Sequence, residues 1–503
     1  MKEKILNLGN LFGAICFSIV AIVFFFSVNK TYPFIAQIAA LVAVFALCTF
    51  LCAFRNKKHL KKLFDAEPRK LYIACALIML AVQLVLVIGI NFMPRTDASH
   101  LDKICRNFVE GNDDLYYGLD IFHYNYLERY SNQWGIFLLQ SLIYKISVFL
   151  TGGISINLLP LITVFLMQLS YFILYKITGL VFQSQKRRNV CIAMMTLCPV
   201  LYVYSCVFYT DTLSMPILLG AVYFALCAVK STGKRSTALY ILGAALCTSV
   251  GYYIKGNVGI IAVALFIYFA FKINYKRVLA LVVATAVSFV LVGNALTSTM
   301  KAVGAVNDES IEKYSFPMVH WVMMGLNGRG GYNDEDFLYT FGIDGVEEKK
   351  EADILRIKER IEEYGFGGFL AHLGKKIQYT WYGGTYQSTV QFAFAEQDLF
   401  TDFFSKSYVY FTWCFLFQAT MILLMLFSFI GGFIRKKTDR ISAIRLMQLG
   451  LFLFLLIWET RSRYMLNMLP LYFIIASDGA ARFKEFLGII SKKRTKLVKT
   501  VAQ

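Results

Sequence analysis

Asp97, His100 and Asp102 stand within six residues of one another, in "NFMPRTDASHLDKI" (residues 91–104), directly after an apolar run long enough to cross a bilayer. A carboxylate so placed can take a proton from an acceptor hydroxyl. The three-residue step from Asp97 to His100 puts both on one face of a short helix. The plain alternative is a polar helix cap, where Asp is favoured. Three further clusters offer complementary chemistry. Asp211, in "FYTDTLSMP", is either a second acidic group or a turn residue. Lys255, in "YYIKGN", either snorkels into headgroups or meets a phosphate, where an ammonium at a water-poor interface gains from an anionic partner. Glu459, Arg461, Arg463 and Tyr464 crowd into "WETRSRYMLNMLP". Arginine suits bidentate recognition of phosphate, and an internal Glu–Arg pair is the structural alternative. A fifth patch, "MVHWVMMGLNGRGGYND", adds His320, but it has no GKS/T and no preceding strand, so it is no P-loop. Asp97, His100 and Asp211 admit a divalent metal, although nothing in their spacing requires one.

These residues must be positioned by a membrane framework. Of 503 residues 57% are apolar, 16% aromatic and only 17% charged, and the mean hydropathy is +0.56. Many separate apolar stretches of about 18 residues or more define an all-α polytopic membrane protein. Spans are expected near 9–28, 34–53, 70–92, 154–182, 190–209, 212–229, 237–254, 257–273, 277–296, 407–432, 441–458 and 463–481. The first reads as a retained helix, because no small-residue cleavage site follows it. Segment 132–150 is expected to lie against the membrane or re-enter it, giving 12 or 13 spans in all.

The net charge of +19 is carried by short basic segments between spans, including "RNKKHLKK", "QSQKRRN", "KSTGKRS", "KINYKR", "RKKTDR" and "SKKRTKLVK". That is the positive-inside pattern, and it points to no nucleic-acid partner. With the N-terminus inside, two large loops face outward, about 93–131 and 297–405, holding 24 of the 32 acidic residues and four of the five His. The spans read as nearly free of charge. A transporter concentrates polar groups at the midplane instead, so the pattern favours chemistry at the outer interface. The eleven Cys, with no CxxC, read as small buried apolar residues. Ile354, Ile357 and Ile361 predict a solvated surface helix, and Lys375, Lys376 and Trp381 an interfacial belt. Four regions follow: 1–69, an N-terminal hairpin and basic loop; 70–296, a catalytic transmembrane module including the loop 93–131; 297–405, the large outer loop; and 406–503, the C-terminal helices and basic tail.

The ordered set "PRTDASHLD", "YLERYSNQWGIFLLQSLIYK", "FYTDTLSMP", "YIKGN" and "ETRSRYMLNMLP" resembles the GT-C superfamily of integral membrane glycosyltransferases, which includes protein O-mannosyltransferases and aminoarabinose transferases. The resemblance covers most of residues 70–480. It departs where members often carry an Asp-Glu or Glu-Asp pair, since Ala98 follows Asp97, and where "YSNQ" replaces a "YPPL"- or "YPNN"-like start. It implies transfer of a sugar from a polyprenyl-phosphate-linked donor to an acceptor on the outer face, in a cell membrane of bacterial type. Asp97 would be the acceptor base, with Asp102 as substitute, and Asp211 the second acid. Lys255, Arg461 and Arg463 would meet the donor phosphate, while His100, His320, Glu459 and Tyr464 would stand on the acceptor side. A lipid-linked saccharide flippase, a polysaccharide polymerase or ligase, and a non-enzymatic scaffold are the rival readings.

Overall fold

The structure is a computed structural model that describes residues 2–26, 34–54, 61–62, 64–90, 93–272, 275–392, 399–435 and 439–501. Parts of the basic segments at 55–62, 272–277 and 435–440 lie outside the described residues. Among the described residues the chain is helical throughout, without a strand. The helices used below are α1 (Lys2–Phe26), α2 (Phe34–Phe54), α3 (Pro68–Gly89), α4 (Asp97–Glu110), α5 (Trp134–Thr151), α6 (Leu158–Val181), α7 (Gln185–Leu197), α8 (Thr210–Lys230), α9 (Lys234–Ile254), α10 (Gly259–Lys272), α11 (Tyr275–Ala302), α12 (Met318–Gly325), α13 (Asp334–Phe341), α14 (Val346–Trp381), α15 (Tyr408–Arg435), α16 (Ile441–Ile457) and α17 (Leu469–Val501).

This is a polytopic all-α membrane protein. Eight described helices are long and apolar enough to cross a bilayer, and a ninth forms if α7 and the short helix after it are one span bent by 54°. The bend falls at Cys198–Pro199, where proline supplies no backbone donor. Shorter apolar helices occupy the expected spans at 34–53, 257–273 and 441–458. The expected span 463–481 begins later than its hydropathy implies. Residues Ser462–Met468 form a 3-10 turn, and the α-helix starts at Leu469.

By length and composition α5, with its lead-in from Ser131, passes as a span. Its first half is held beside α4. Gln133, just before it, donates to the Tyr209 hydroxyl at 2.9 Å. Gln140 shares a cavity wall with Pro94, Ala98, Ile156, Leu159 and Pro160, so the chain leaving α5 is back beside α4 when α6 begins. The far end of α6 is at the opposite side, where the Leu180 carbonyl accepts from Arg440 at 2.5 Å. Phe149 and Leu150, at the end of α5, are exposed, as suits a helix resting on lipid.

Two expectations are corrected. The spans are not free of charge: Asp478 of α17 is fully buried and accepts from Arg445 of α16 at 2.7 Å, Arg482 at 3.0 Å and Arg187 at 3.1 Å. A charge inside a span must be paired to remain there, and this one is. Nor is the later part of the long loop an interfacial belt. Gly365, at φ +54°, breaks α14, and the half beyond it packs into the helical core. Lys376 and Trp381 are buried, with Trp381 edge-on to Phe17 of α1 at 5.4 Å and stacked on Tyr472 of α17 at 6.0 Å. In the first half of α14 the buried face carries Lys349, Asp353 and Arg360, while Ile361 is exposed. The polar face turns inward because it has partners there: Arg360 forks onto Asp336 of α13 at 2.9 and 2.5 Å.

Candidate functional site

Four sequence-distant segments meet where α8 begins, α9 ends and α17 begins. Asp211 lies in the first turn of α8, where a carboxylate favours the helix N-terminus. Lys255 closes α9 and hydrogen-bonds Asp211. Arg463, in the 3-10 turn before α17, reaches both acids: its Nη2 is 3.2 Å from Asp97 Oδ2, and its Nε is 3.5 Å from Asp211 Oδ2. Its guanidinium also lies 5.3 Å from the centre of the Tyr209 ring. The result is an alternating chain of charge: Asp97, Arg463, Asp211, Lys255.

Amides fix the backbone beneath this chain. Asn257 donates to the Tyr464 carbonyl at 2.9 Å and to Asn467 Oδ1 at 3.1 Å. Asn467 donates to Asn257 Oδ1 at 2.9 Å and Ser214 Oγ at 3.1 Å. Buried polar groups of this kind hold a geometry because each pays heavily for losing its partner. A second ion pair flanks the first. Glu459 accepts from Arg461 Nε at 3.2 Å and from the Tyr464 hydroxyl at 2.7 Å. Its backbone amide is bound by the Trp321 carbonyl at 2.8 Å, which ties the long loop to the site.

Exposure separates the acids. The Asp97 side chain keeps 45% of its surface open, whereas Asp211 keeps 1%. Among the cations Arg461 is the most open at 24%, against 12% for Lys255 and 9% for Arg463. Burial raises the Asp97 carboxyl, but Arg463 and Arg461 outweigh it and hold the group below its ordinary range. Burial lowers Lys255; Asp211 pulls it back and Arg463 adds to the fall. Burial also works against the charge on Arg463, yet Asp211 and Asp97 hold it strongly protonated.

The remaining candidates sit apart. Asp102 faces away from Asp97 on α4 and is taken by Arg106 at 2.8 Å, Gln140 at 3.0 Å and the Tyr144 hydroxyl. His100 lies against His123, ring centres 3.5 Å apart and tilted by 42°; burial first and His123 second lower its pKa from the ordinary imidazole value. His320 is fully buried inside the long loop, 2.8 Å from Thr340 Oγ1, with Asp353 behind. Asp97, His100 and Asp211 do not form a ligand set, since the Asp211 oxygens face Lys255 and Arg463. Among the described residues no group of three or more His, Cys, Asp or Glu is gathered to hold a metal.

Sequence reasoning missed Asn467, Ser214, Tyr209 and Tyr332, whose ring lies 5.3 Å from the Arg461 guanidinium. Asn467 left a trace, an amide inside an apolar run. Tyr209 and Ser214 flank Asp211 in "FYTDTLSMP", and Tyr332 lies in the glycine-rich patch, but nothing in their types marked them out.

Across residues 11–481 the chain matches the family described as conserved hypothetical integral membrane protein. The chain belongs to that family. This conserved integral membrane protein matches no curated protein by sequence. Among solved structures it is similar to ArnT from Cupriavidus metallidurans, crystallised with undecaprenyl phosphate, at 13% identity and a TM-score of 0.33 over 82% of this chain and 77% of that one. So distant a likeness carries no argument about activity.

Proposed function

We propose that this protein is a GT-C-type membrane glycosyltransferase that moves a sugar from a polyprenyl-phosphate-linked donor to an acceptor hydroxyl on the outer face of the membrane. The observation that carries the reading is the convergence at one outer rim of an open carboxylate, Asp97, with two arginines, Arg461 and Arg463, and the Asp211–Lys255 pair. Asp97 is the acid with access, so it takes the acceptor proton. The acceptor oxygen bonds to the anomeric carbon as that carbon's bond to the donor phosphate oxygen breaks, with inversion. The phosphate leaves as an anion, and a nearby guanidinium offsets the charge it develops. Arg461 is best placed for that role, because Lys255 and Arg463 are committed to Asp211. Asp211 is then a positioning residue that holds Arg463 against Asp97. The positive-inside pattern orients the rim outward, as in a bacterial cytoplasmic membrane, and we read residues 70–296 as the catalytic module and 297–405 as the loop that covers it.

A flippase gains one observation, the charges buried in α16 and α17. Asp478 lies nine residues beyond Leu469, the first residue of α17, about 14 Å along the helix. It is paired with arginines at the cytoplasmic end and not exposed along a path. The test is mass spectrometry of cell-surface glycans from strains expressing wild type or Asp97→Asn at equal level. Loss of a sugar substituent in the variant is expected. Unchanged glycans with Asp97→Asn, Asp102→Asn and Asp211→Asn would overturn the reading.

A further inference from the structure

At the end of the protein opposite the candidate site, arginines from α7, α15, α16 and α17 outnumber the carboxylates they meet. Arg187, Arg445 and Arg482 converge on the fully buried Asp478, at 3.1, 2.7 and 3.0 Å. Ser428 Oγ donates to it as well, at 2.9 Å. Glu485 accepts from Arg435 at 2.6 Å and lies 3.5 Å from Arg482, while Asp439 lies 3.9 Å from Arg445. Arg188 and Arg440 have no carboxylate partner among the described residues. Arg188 lies over the Tyr175 ring at 5.5 Å, and Arg440 donates to the Leu180 carbonyl. Six guanidiniums thus face three carboxylates, and the neighbouring Lys186–Asp65 pair cancels itself at 2.9 Å. Positive charge is left over. So are donors: Arg482 is buried, and its Nε has no acceptor. A buried donor without a partner is costly. Arg187 shares Asp478 Oδ1 with Arg482 through Nη1 alone, and it is the most open of the three arginines on Asp478, at 25%. Arg482 and Glu485 lie about 20 and 24 Å along α17 from Leu469. The hydrocarbon core is about 30 Å thick, so the cluster sits near the headgroups of the far leaflet. Ile434, Phe486 and Ile489, beside it in sequence, are exposed.

We propose that this cluster binds the phosphate of an anionic glycerophospholipid in the leaflet opposite the candidate site, through Arg187 and Arg482 with Arg435 at the edge. The inference is independent of the proposed function, which concerns the other face. Asp478 is not part of the ligand shell. Four donors occupy its two oxygens, and it serves as the fixed counter-charge that lets guanidiniums stand side by side. A phosphodiester brings the negative charge and the free oxygens that the protein itself does not supply, and a guanidinium fork matches them bidentately. Basic pockets between transmembrane helices take anionic headgroups in this way. A zwitterionic headgroup carries its own cation and offsets none of the excess. The exposed Ile434, Phe486 and Ile489 favour a lipid over soluble phosphate, because acyl chains beside the headgroup cover them.

The experiment titrates the full chain in non-ionic detergent with short-chain phosphatidylglycerol or phosphatidylcholine and follows bound lipid by native mass spectrometry. Wild type, Arg187→Gln, Arg435→Gln and Arg461→Gln are compared. Wild type is expected to hold one phosphatidylglycerol about tenfold or more tighter than phosphatidylcholine. One basic side chain at a charged headgroup changes affinity about fivefold, so Arg187→Gln is expected to weaken phosphatidylglycerol by about that factor and leave phosphatidylcholine unchanged. Asp478 keeps Arg445 and Arg482 in that variant. Should it still fail to fold, Arg435→Gln opens only an exposed pair with Glu485 and is expected to show a similar loss. Arg461→Gln, at the opposite site, is expected to bind like wild type. Equal affinity for the two lipids, wild-type binding in both Arg187→Gln and Arg435→Gln, or a loss confined to Arg461→Gln would each overturn the inference. Displacement of the lipid by an equal concentration of inorganic phosphate would make free phosphate the ligand and overturn the lipid assignment.

Discussion

Lys255→Met removes the ammonium that faces a carboxylate with 1% of its surface open. Breaking a buried ion pair from one side typically costs about 3–5 kcal/mol, because the remaining charge stays desolvated. Here Asp211 retains one cation, Arg463 Nε at 3.5 Å, so the cost falls below that range, to about 2–3 kcal/mol. In a chain of this length, where the entropy of unfolding is large, that corresponds to a Tm lower by about 2–3 °C. The assay is thermal unfolding in detergent, followed by intrinsic fluorescence and by recovery of monodisperse protein. The informative partner is Asp211→Asn combined with Lys255→Met. The neutral amide needs no counter-charge, so the double variant is expected to recover about half of the loss, a coupling of about 1–2 kcal/mol. If Lys255→Met melts with wild type, or the double variant loses the sum of the two single effects, the alternating charge chain is not what holds this rim together.

Two further outcomes follow from the same geometry. Asp97 is held below its ordinary carboxyl range, with Arg463 and Arg461 outweighing burial. Its stabilising contribution is therefore complete above the unfolded value near 3.8 and lost as pH falls through the lower folded value; the Tm gap between wild type and Asp97→Asn should close in that acid range and stay constant above it. Gly479→Ala would place a methyl 1.7 Å from the Leu424 carbonyl, where α17 crosses α15. Small residues at such crossings let helix backbones approach, so a loss of about 3 kcal/mol or more is expected, read as a fall in yield of folded protein; wild-type thermostability would show that the helices can separate freely.

Much of this protein was legible from residue type and order alone. Long apolar runs had to be helices, since a bilayer leaves backbone groups no other partner. The basic loops fixed which ends share a face, and that brought Asp97, Asp211, Lys255 and Arg463 to one side before any contact was known. Pairing could not be read the same way, because it depends on helix rotation and on the depth at which each helix ends. Asp102 stood as a substitute for Asp97, yet the turn of α4 gives Asp97 to Arg463 and Asp102 to Arg106 and Gln140. Lys375 and Lys376 are chemically identical neighbours; one is exposed, and the other is buried under the site turn because Gly365 redirects α14 into the core. Asp478 and Arg445 were lost in apolar averages, since a window over a span cannot register two charges that neutralise each other across helices. Hydropathy and charge are sums along the chain, and they predict which helix ends share a face. Which charge meets which is a matter of distances between segments hundreds of residues apart, and only the packed structure decides those.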